Sequence, residues 1–131
     1  MERNEKTRAL LAAFGCALAY LLAGKILMAV LPQVPEEAAR MWAFVHRCAA
    51  APIVEELVFR GIIQQLARPL GERQAVALQA VLFAVQHRGP AGMAYALVCG
   101  LVLGTIRSRT GSVWPGMLLH TLNNLLVFAA G

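Results

Sequence analysis

Residues 52–61 read PIVEELVFRG, a stretch in which three charged side chains stand among Ile, Val, Leu and Phe. Each charge placed at the centre of a bilayer costs roughly 2.5 to 3.5 kcal/mol on insertion scales. Glu56 and Arg60 are four residues apart, so on a helix they share a face and can pair. Glu55 is rotated by about 100° from Glu56. The stretch therefore predicts a helix on which the arginine holds one glutamate and leaves the other free to act.

The composition is that of a membrane protein. Of the 131 residues, 59% are hydrophobic and 15% are charged, whereas a soluble domain is roughly 45–50% apolar and about 25% charged. The net charge is +5, but the basic residues are scattered between apolar runs and form no stripe. This pattern favours a role in membrane topology over nucleic-acid binding. We expect one membrane-embedded domain over residues 1–131.

The cysteines give no sign of a disulfide framework or of a cysteine-based zinc site. They are odd in number and widely spaced, and each lies within an apolar segment. Such cysteines are typically small apolar core residues. They are Cys16, Cys48 and Cys99.

Five apolar segments predict an all-α, polytopic membrane bundle of about five transmembrane helices. The first is too long for the core of a signal peptide and lacks a clear cleavage site, so we expect an uncleaved helix. Gly100 and Gly104 have the spacing that lets two helices approach closely, and Ser112 is a natural N-cap for the last helix. Several segments are shorter than the ~20 residues that span a bilayer. The segments are residues 9–31, 41–66 with a break at Pro52, 74–87, 92–106 and 112–130.

The distribution of basic residues predicts the orientation. With the N-terminus in the cytoplasm, the inner connecting segments carry most of the lysines and arginines, as the positive-inside rule requires. The C-terminus and the His87 end of its helix then lie towards the outer face. The inner residues are Arg3, Lys6, Arg8, Arg68, Arg73, Arg107 and Arg109, against Arg40 and Arg88 outside.

Two further helices carry polar side chains that lipid would not tolerate. His87 lies four residues after Phe83, and Asn124 lies four residues after His120, so each pair shares one helix face. Together with the Glu55 helix, these faces are expected to converge on one wet cavity inside the bundle.

The chemistry that such a cavity supports is peptide hydrolysis. A glutamate beside a histidine can take a proton from water and deliver it to a leaving amine. A second imidazole and an amide can stabilise the oxyanion. The same Glu55, His87 and His120 side chains could instead hold Zn2+, which would itself activate a water. The chain has no His-Glu-x-x-His motif and no convincing serine or cysteine nucleophile. Water activation is therefore predicted, with the metal-free and metal-dependent forms both open.

Three polar motifs follow one another along the chain and resemble, in this order, the three motifs of the CPBP intramembrane proteases. They are Glu55-Glu56 with Arg60, Phe83 with His87, and His120 with Asn124. This family includes CAAX prenyl endopeptidases and bacteriocin-processing or immunity proteins. The resemblance covers residues 52–128 and implies an all-helical membrane endopeptidase.

By motif match, the resemblance implies that Glu55 with His87 activates the water. It implies that His120 with Asn124 forms the oxyanion site, and that Glu56 and Arg60 support the site. The expected substrate is a membrane-anchored protein or peptide cut in or near its membrane segment, and the expected location is a bacterial inner membrane.

The chain is shorter than the CAAX endopeptidases that it resembles, which favours processing of C-terminal sorting signals of exported proteins over prenylated CAAX substrates. Two alternatives come from other functional classes. One is a non-catalytic membrane partner or immunity-type protein that keeps the motif residues for packing. The other, a small ion or proton carrier, would need a polar path that the remaining helices do not offer.

Overall fold

Five helices account for nearly all of residues 2–131, the part of the chain that the computed structural model describes, and no strand occurs among them. The predicted all-α class is confirmed, and the number of helices agrees with the sequence pattern. The helices are α1 (Glu2–Val30), α2 (residues 36–66), α3 (Glu72–Ala84), α4 (Gly89–Thr110) and α5 (Trp114–Ala130).

Helix α2 is continuous but not uniform. Two wider, π-helical turns lie on either side of Pro52, and such turns often occur at functional sites. The break predicted at Pro52 is therefore absorbed by a change of hydrogen-bond register. In order, the segments of α2 are Glu36–Val45, the π-helical His46–Ala50, Ala51–Glu55, the π-helical Glu56–Ile63 and Gln64–Leu66, followed by a 3-10 turn over Arg68–Leu70.

Helix α1 packs against α2 through a stripe of alanines. Ala9, Ala13 and Ala17 are buried, and their four-residue spacing puts them on one face of the helix. Ala13 and Ala17 belong to the same core cluster as Phe59 and Ile63 of α2. Small side chains here let the two backbones come close, as in other membrane helix pairs.

Helices α3 and α4 form an antiparallel pair around the predicted glycine spacing. A Cβ atom added at Gly100 would lie 2.9 Å from both Cα and Cβ of Ala80, so only glycine fits. One turn later, a Cβ at Gly104 would lie 2.3 Å from the amide nitrogen of Gln79. That amide donates to the carbonyl of Gly100 at 2.7 Å. The prediction of close packing at this spacing is confirmed.

Two helices are long and apolar enough to cross a membrane, Glu2–Val30 and Gly89–Thr110. Large apolar side chains are exposed along the bundle, including Leu11, Ile26 and Leu118. Exposed apolar surface on this scale requires a non-aqueous neighbour, which a bilayer supplies. Five transmembrane spans remain a prediction.

The predicted cap at the start of the last helix is shifted. Helix α4 continues to Thr110 and ends at Gly111, which has the left-handed φ of 69° that favours glycine. Helix α5 then begins at Trp114, and Val113 at the capping position makes no side-chain bond to the helix. Ser112 lies one residue earlier, and its hydroxyl accepts a bond of 3.3 Å from the N–H of Trp114.

Candidate active site

The carboxylate of Glu56 is the most enclosed acid in the described chain, with no exposed surface. Its Oε1 atom lies 3.2 Å from Nη1 of Arg60 and 2.9 Å from Nδ1 of His120. The pairing of Glu56 with Arg60, predicted from the four-residue spacing, is confirmed. The other oxygen, Oε2, has no hydrogen-bond partner and faces Gly116, where an added Cβ would lie 2.7 Å away.

Arg60 holds its charge inside the bundle by electrostatics more than by hydrogen bonds. The guanidinium is fully buried, and none of its three nitrogens has a well-aligned hydrogen-bond partner. The 3.2 Å contact to Glu56 is therefore an ion pair. The Cζ atom also lies 4.4 Å from the centre of the Phe83 ring, and a desolvated cation–π contact is worth about 2 kcal/mol.

His120 of α5 lies between the two glutamates of α2. Its Nδ1 atom is bonded to Glu56, and its Nε2 atom lies 3.5 Å from Oε2 of Glu55. Because Glu56 is paired with a guanidinium, it is a carboxylate and only accepts hydrogen bonds, so Nδ1 of His120 carries the proton. Glu56 thus orients the ring and directs Nε2 towards Glu55.

The sequence predicts that His87 lies on a helix over residues 74–87, but α3 ends at Ala84, so His87 lies in the bend that follows the helix and faces the site across Phe83. Its Nδ1 atom lies 3.0 Å from the carbonyl oxygen of Phe83, which accepts the bond, and leaves Nε2 unbonded. The ring of Phe83 contacts His87 and His120 edge-on, with centroids 4.7 Å and 5.8 Å apart. His87 is within electrostatic range of Glu55 but makes no hydrogen bond to it.

Asn124 lies one turn after His120 but bonds elsewhere. Its Nδ2 atom donates to the carbonyl oxygen of Arg47 at 2.9 Å, and its Oδ1 atom accepts from Asn123 at 3.3 Å. In this part of α2 the N–H of Ala51 bonds to the carbonyl of His46. In that register the carbonyl of Arg47 would pair with residue 52, a proline without an N–H. Asn124 thus supplies the donor that Pro52 lacks.

The residues proposed to hold zinc do not form a ligand set. Among residues 2–131, no three His, Cys, Asp or Glu side chains are placed to share a metal ion. Glu55 lies 3.5 Å from Nε2 of His120, whereas the His87 ring is bonded to the carbonyl oxygen of Phe83 and makes no hydrogen bond to either side chain.

The structure adds two residues that the sequence pattern did not single out. Gly116 lies four residues before His120 and therefore shares the helix face that meets Glu56. That spacing could have revealed it from the sequence. Tyr20 of α1 is half-buried against Phe59, with ring centroids 5.5 Å apart, and is within electrostatic range of Glu55. No sequence pattern connects this tyrosine to the site.

An apolar groove between α4 and α5 leads to His120. Its volume is about 230 Å³, and His120 and Asn123 are its only polar lining residues among those the structure describes. A groove of this kind can hold an extended apolar segment with one bond beside the imidazole. It is lined by Val98, Cys99, Val102, Leu103, Leu119, His120 and Asn123.

Comparison with known families gives a match over most of this chain. Residues 37–126, more than half of the chain, match the family model described as type II CAAX prenyl endopeptidase Rce1-like. The matched segment contains nearly all of α2, all of α3 and α4, and most of α5, so it holds the residues described above around His120 except Tyr20 of α1. Neither the comparison with curated proteins nor that with solved structures gave a match.

Proposed function

Because the chain belongs to the Rce1-like family of CAAX-type membrane endopeptidases, we propose that it hydrolyses a peptide bond in or near the membrane segment of a substrate protein. One observation carries the proposal: His120 lies 2.9 Å from Glu56 and 3.5 Å from Glu55 inside an apolar bundle. Burying two carboxylates around one imidazole costs free energy, and such clusters of ionisable groups are typical of catalytic sites.

Glu55 is the proposed base. It is the acid not engaged by Arg60, and its carboxylate keeps partial access to solvent, with a side chain 20% exposed. It takes a proton from a water whose oxygen attacks the substrate carbonyl carbon. The unbonded Nε2 of His87 is proposed to hold the same water from the other side. Glu55 then passes the proton to the amide nitrogen as the C–N bond breaks.

His120 is the proposed donor to the oxyanion. Its N–H at Nδ1 is fixed by Glu56, and a second proton at Nε2 would make the ring a cation beside the developing negative charge. Glu56 and Arg60 support this role, since their pairing keeps Glu56 ionised and the imidazole oriented. A buried ion pair is preorganised and needs little rearrangement during the reaction.

Asn124, predicted to share the oxyanion site, is proposed here as a positioning residue. Its bond to the carbonyl of Arg47 ties α5 to α2 near the proline. That bond fixes the position of α5 along its axis relative to α2, and so the level at which His120 contacts the two glutamates. A role as oxyanion donor would require this bond to break.

The substrate that fits is a membrane-anchored protein with an extended apolar segment. The groove beside His120 is open and almost free of polar groups, so a substrate backbone in it would present its carbonyls to the site. A C-terminal sorting signal or a CAAX-like tail has this form. No metal step is proposed, since the ligands do not converge.

The test compares wild-type protein with Glu55→Gln and His120→Ala in cells of the source strain that lack the chromosomal copy. Mass spectrometry of protein termini would identify ends that appear only with wild type. Glu37→Gln, the same change at an exposed site, serves as the matched control. If the Glu55 and His120 variants give the same protein termini as wild type, a protease activity is excluded and a non-catalytic, immunity-type partner is supported.

A further inference from the structure

A second cavity, lined by polar and charged side chains, lies beside Arg60, and Glu56 is not among its lining residues. Its volume is about 290 Å³, enough for several waters at about 30 Å³ each. It opens where α2 ends, at the 3-10 turn and beside the last turn of α4. The lining residues are Arg60, Gln64, Gln65, Arg68, Glu72, Arg107, Ser108 and Gly111.

Several buried donors around this cavity have no partner in the described chain. Arg60 is fully buried, yet its Nε and Nη2 atoms bond to nothing. The Nε atom of Arg107 is also buried and unpaired. A buried donor left unpaired costs about 1–3 kcal/mol, so a set of them points to a ligand that the protein chain does not supply.

The charges of the cavity favour an anion. Three arginines face a single acid, Glu72, which is already engaged by Arg68 at 3.5 Å and by the hydroxyl of Ser108 at 2.5 Å. Glu56 balances Arg60 from the other side. No acid among residues 2–131 pairs with Arg107, so one negative group with several acceptor oxygens would complete the site.

A neutral part of the ligand is also indicated. The amide nitrogen of Gln64 donates to the carbonyl of Gly104 at 3.0 Å and to Ser108 at 2.9 Å. Its Oε1 atom, in a side chain 3% exposed, has no donor. A hydroxyl next to the anion would satisfy this oxygen.

We propose that this cavity binds the phosphodiester headgroup of an anionic, hydroxyl-bearing phospholipid such as phosphatidylglycerol. The cavity lies at the end of the bundle that carries Arg73 and Arg109 as well as its own arginines. The positive-inside rule assigns such an end to the cytoplasmic face, where anionic headgroups gather. Arginine forks match phosphate oxygens in geometry.

The experiment titrates the purified full chain, in neutral detergent, with phosphatidylglycerol, phosphatidylcholine or inorganic phosphate, and follows the thermal unfolding midpoint. Phosphatidylglycerol should raise the midpoint and phosphatidylcholine should not. Arg107→Gln should need about tenfold more phosphatidylglycerol for the same shift, because one charge-assisted bond is lost. Arg109→Gln removes the same charge from an exposed position two residues away and should behave as wild type.

Without lipid, Arg107→Gln should unfold at or above the wild-type temperature, since Nε of Arg107 has no partner to lose and the cost of leaving it unpaired is removed. Arg107→Lys keeps the charge without the fork and should give an intermediate shift, which retains a test if the glutamine variant does not fold. Equal responses of the Arg107 and Arg109 variants would overturn the site. A shift produced by inorganic phosphate and not by phosphatidylglycerol would overturn its assignment to a lipid.

Discussion

The substitution Gly116→Ala tests the geometry of the site with a single methyl group. An added Cβ would lie 2.7 Å from Oε2 of Glu56, whereas ordinary contacts are about 3.5 Å, so the carboxylate must move by roughly 0.8 Å. A free side-chain end would yield easily, but this carboxylate is held through its other oxygen by Arg60 and His120. A shift of that size lengthens the 2.9 Å bond to His120 beyond hydrogen-bond range.

Two consequences are expected for Gly116→Ala. Overpacking of this kind costs about 1–3 kcal/mol of stability, and a misplacement near 1 Å reduces kcat by about 10- to 100-fold. The assays are thermal unfolding in detergent and cleavage of a substrate identified by its Glu55-dependent terminus. Both are measured on the same purified protein.

Two other glycines separate the site effect from a general loss of stability. Gly100→Ala would push against the backbone of Ala80 at 2.9 Å, so it should destabilise the fold by a similar amount with a smaller loss of kcat per folded molecule. Gly24→Ala meets nothing within 4 Å and should be about 0.4 to 1 kcal/mol more stable. A Gly116→Ala protein with wild-type kcat and stability would refute the placement of Glu56.

Three further predictions concern other parts of the site. Asn124→Ala leaves the carbonyl of Arg47 unpaired and should lower stability by about 1–3 kcal/mol; an oxyanion donor would instead lower kcat at unchanged stability. Alkylation of Cys99 in the apolar groove should block most cleavage, and Cys99→Ala should be resistant to the reagent; equal inhibition of both proteins would exclude the groove as the substrate site. Cleavage should continue after dialysis against a metal chelator, because no three acids and histidines among residues 2–131 are placed to share a metal ion; a loss restored by Zn2+ would show a metal enzyme.

The sequence was sufficient for the number of helices and for most of the residues that cluster around His120. Apolar runs of this length must be helical in lipid, since every backbone group has to be satisfied within the segment. A four-residue spacing fixes that Glu56 and Arg60 share a face, and the structure pairs them. The spacing of Gly100 and Gly104 likewise predicted a close contact between two helices, which the structure forms between α4 and α3.

The contacts that each side chain makes with residues of other helices could not be predicted from spacing along one helix. The match of motifs connected Glu55 with His87 and His120 with Asn124, as pairs that act together. In the structure His120 lies between Glu55 and Glu56, while Asn124 bonds to the backbone of α2. Nothing in the sequence gives the rotation of α5 against α2 that decides this.

Local spacing along a helix follows from its fixed rise and turn. The sequence by itself therefore determined that this protein is a helical bundle with Glu56, Arg60 and His120 on inward faces. The rotation and height of one helix against another depend on side chains that are distant in sequence, here the alanines of α1, the glycines of α4 and the register change at Pro52. Only the tertiary structure therefore decided which nitrogen of His120 meets which glutamate, and that arginines at one end of the bundle surround a second cavity.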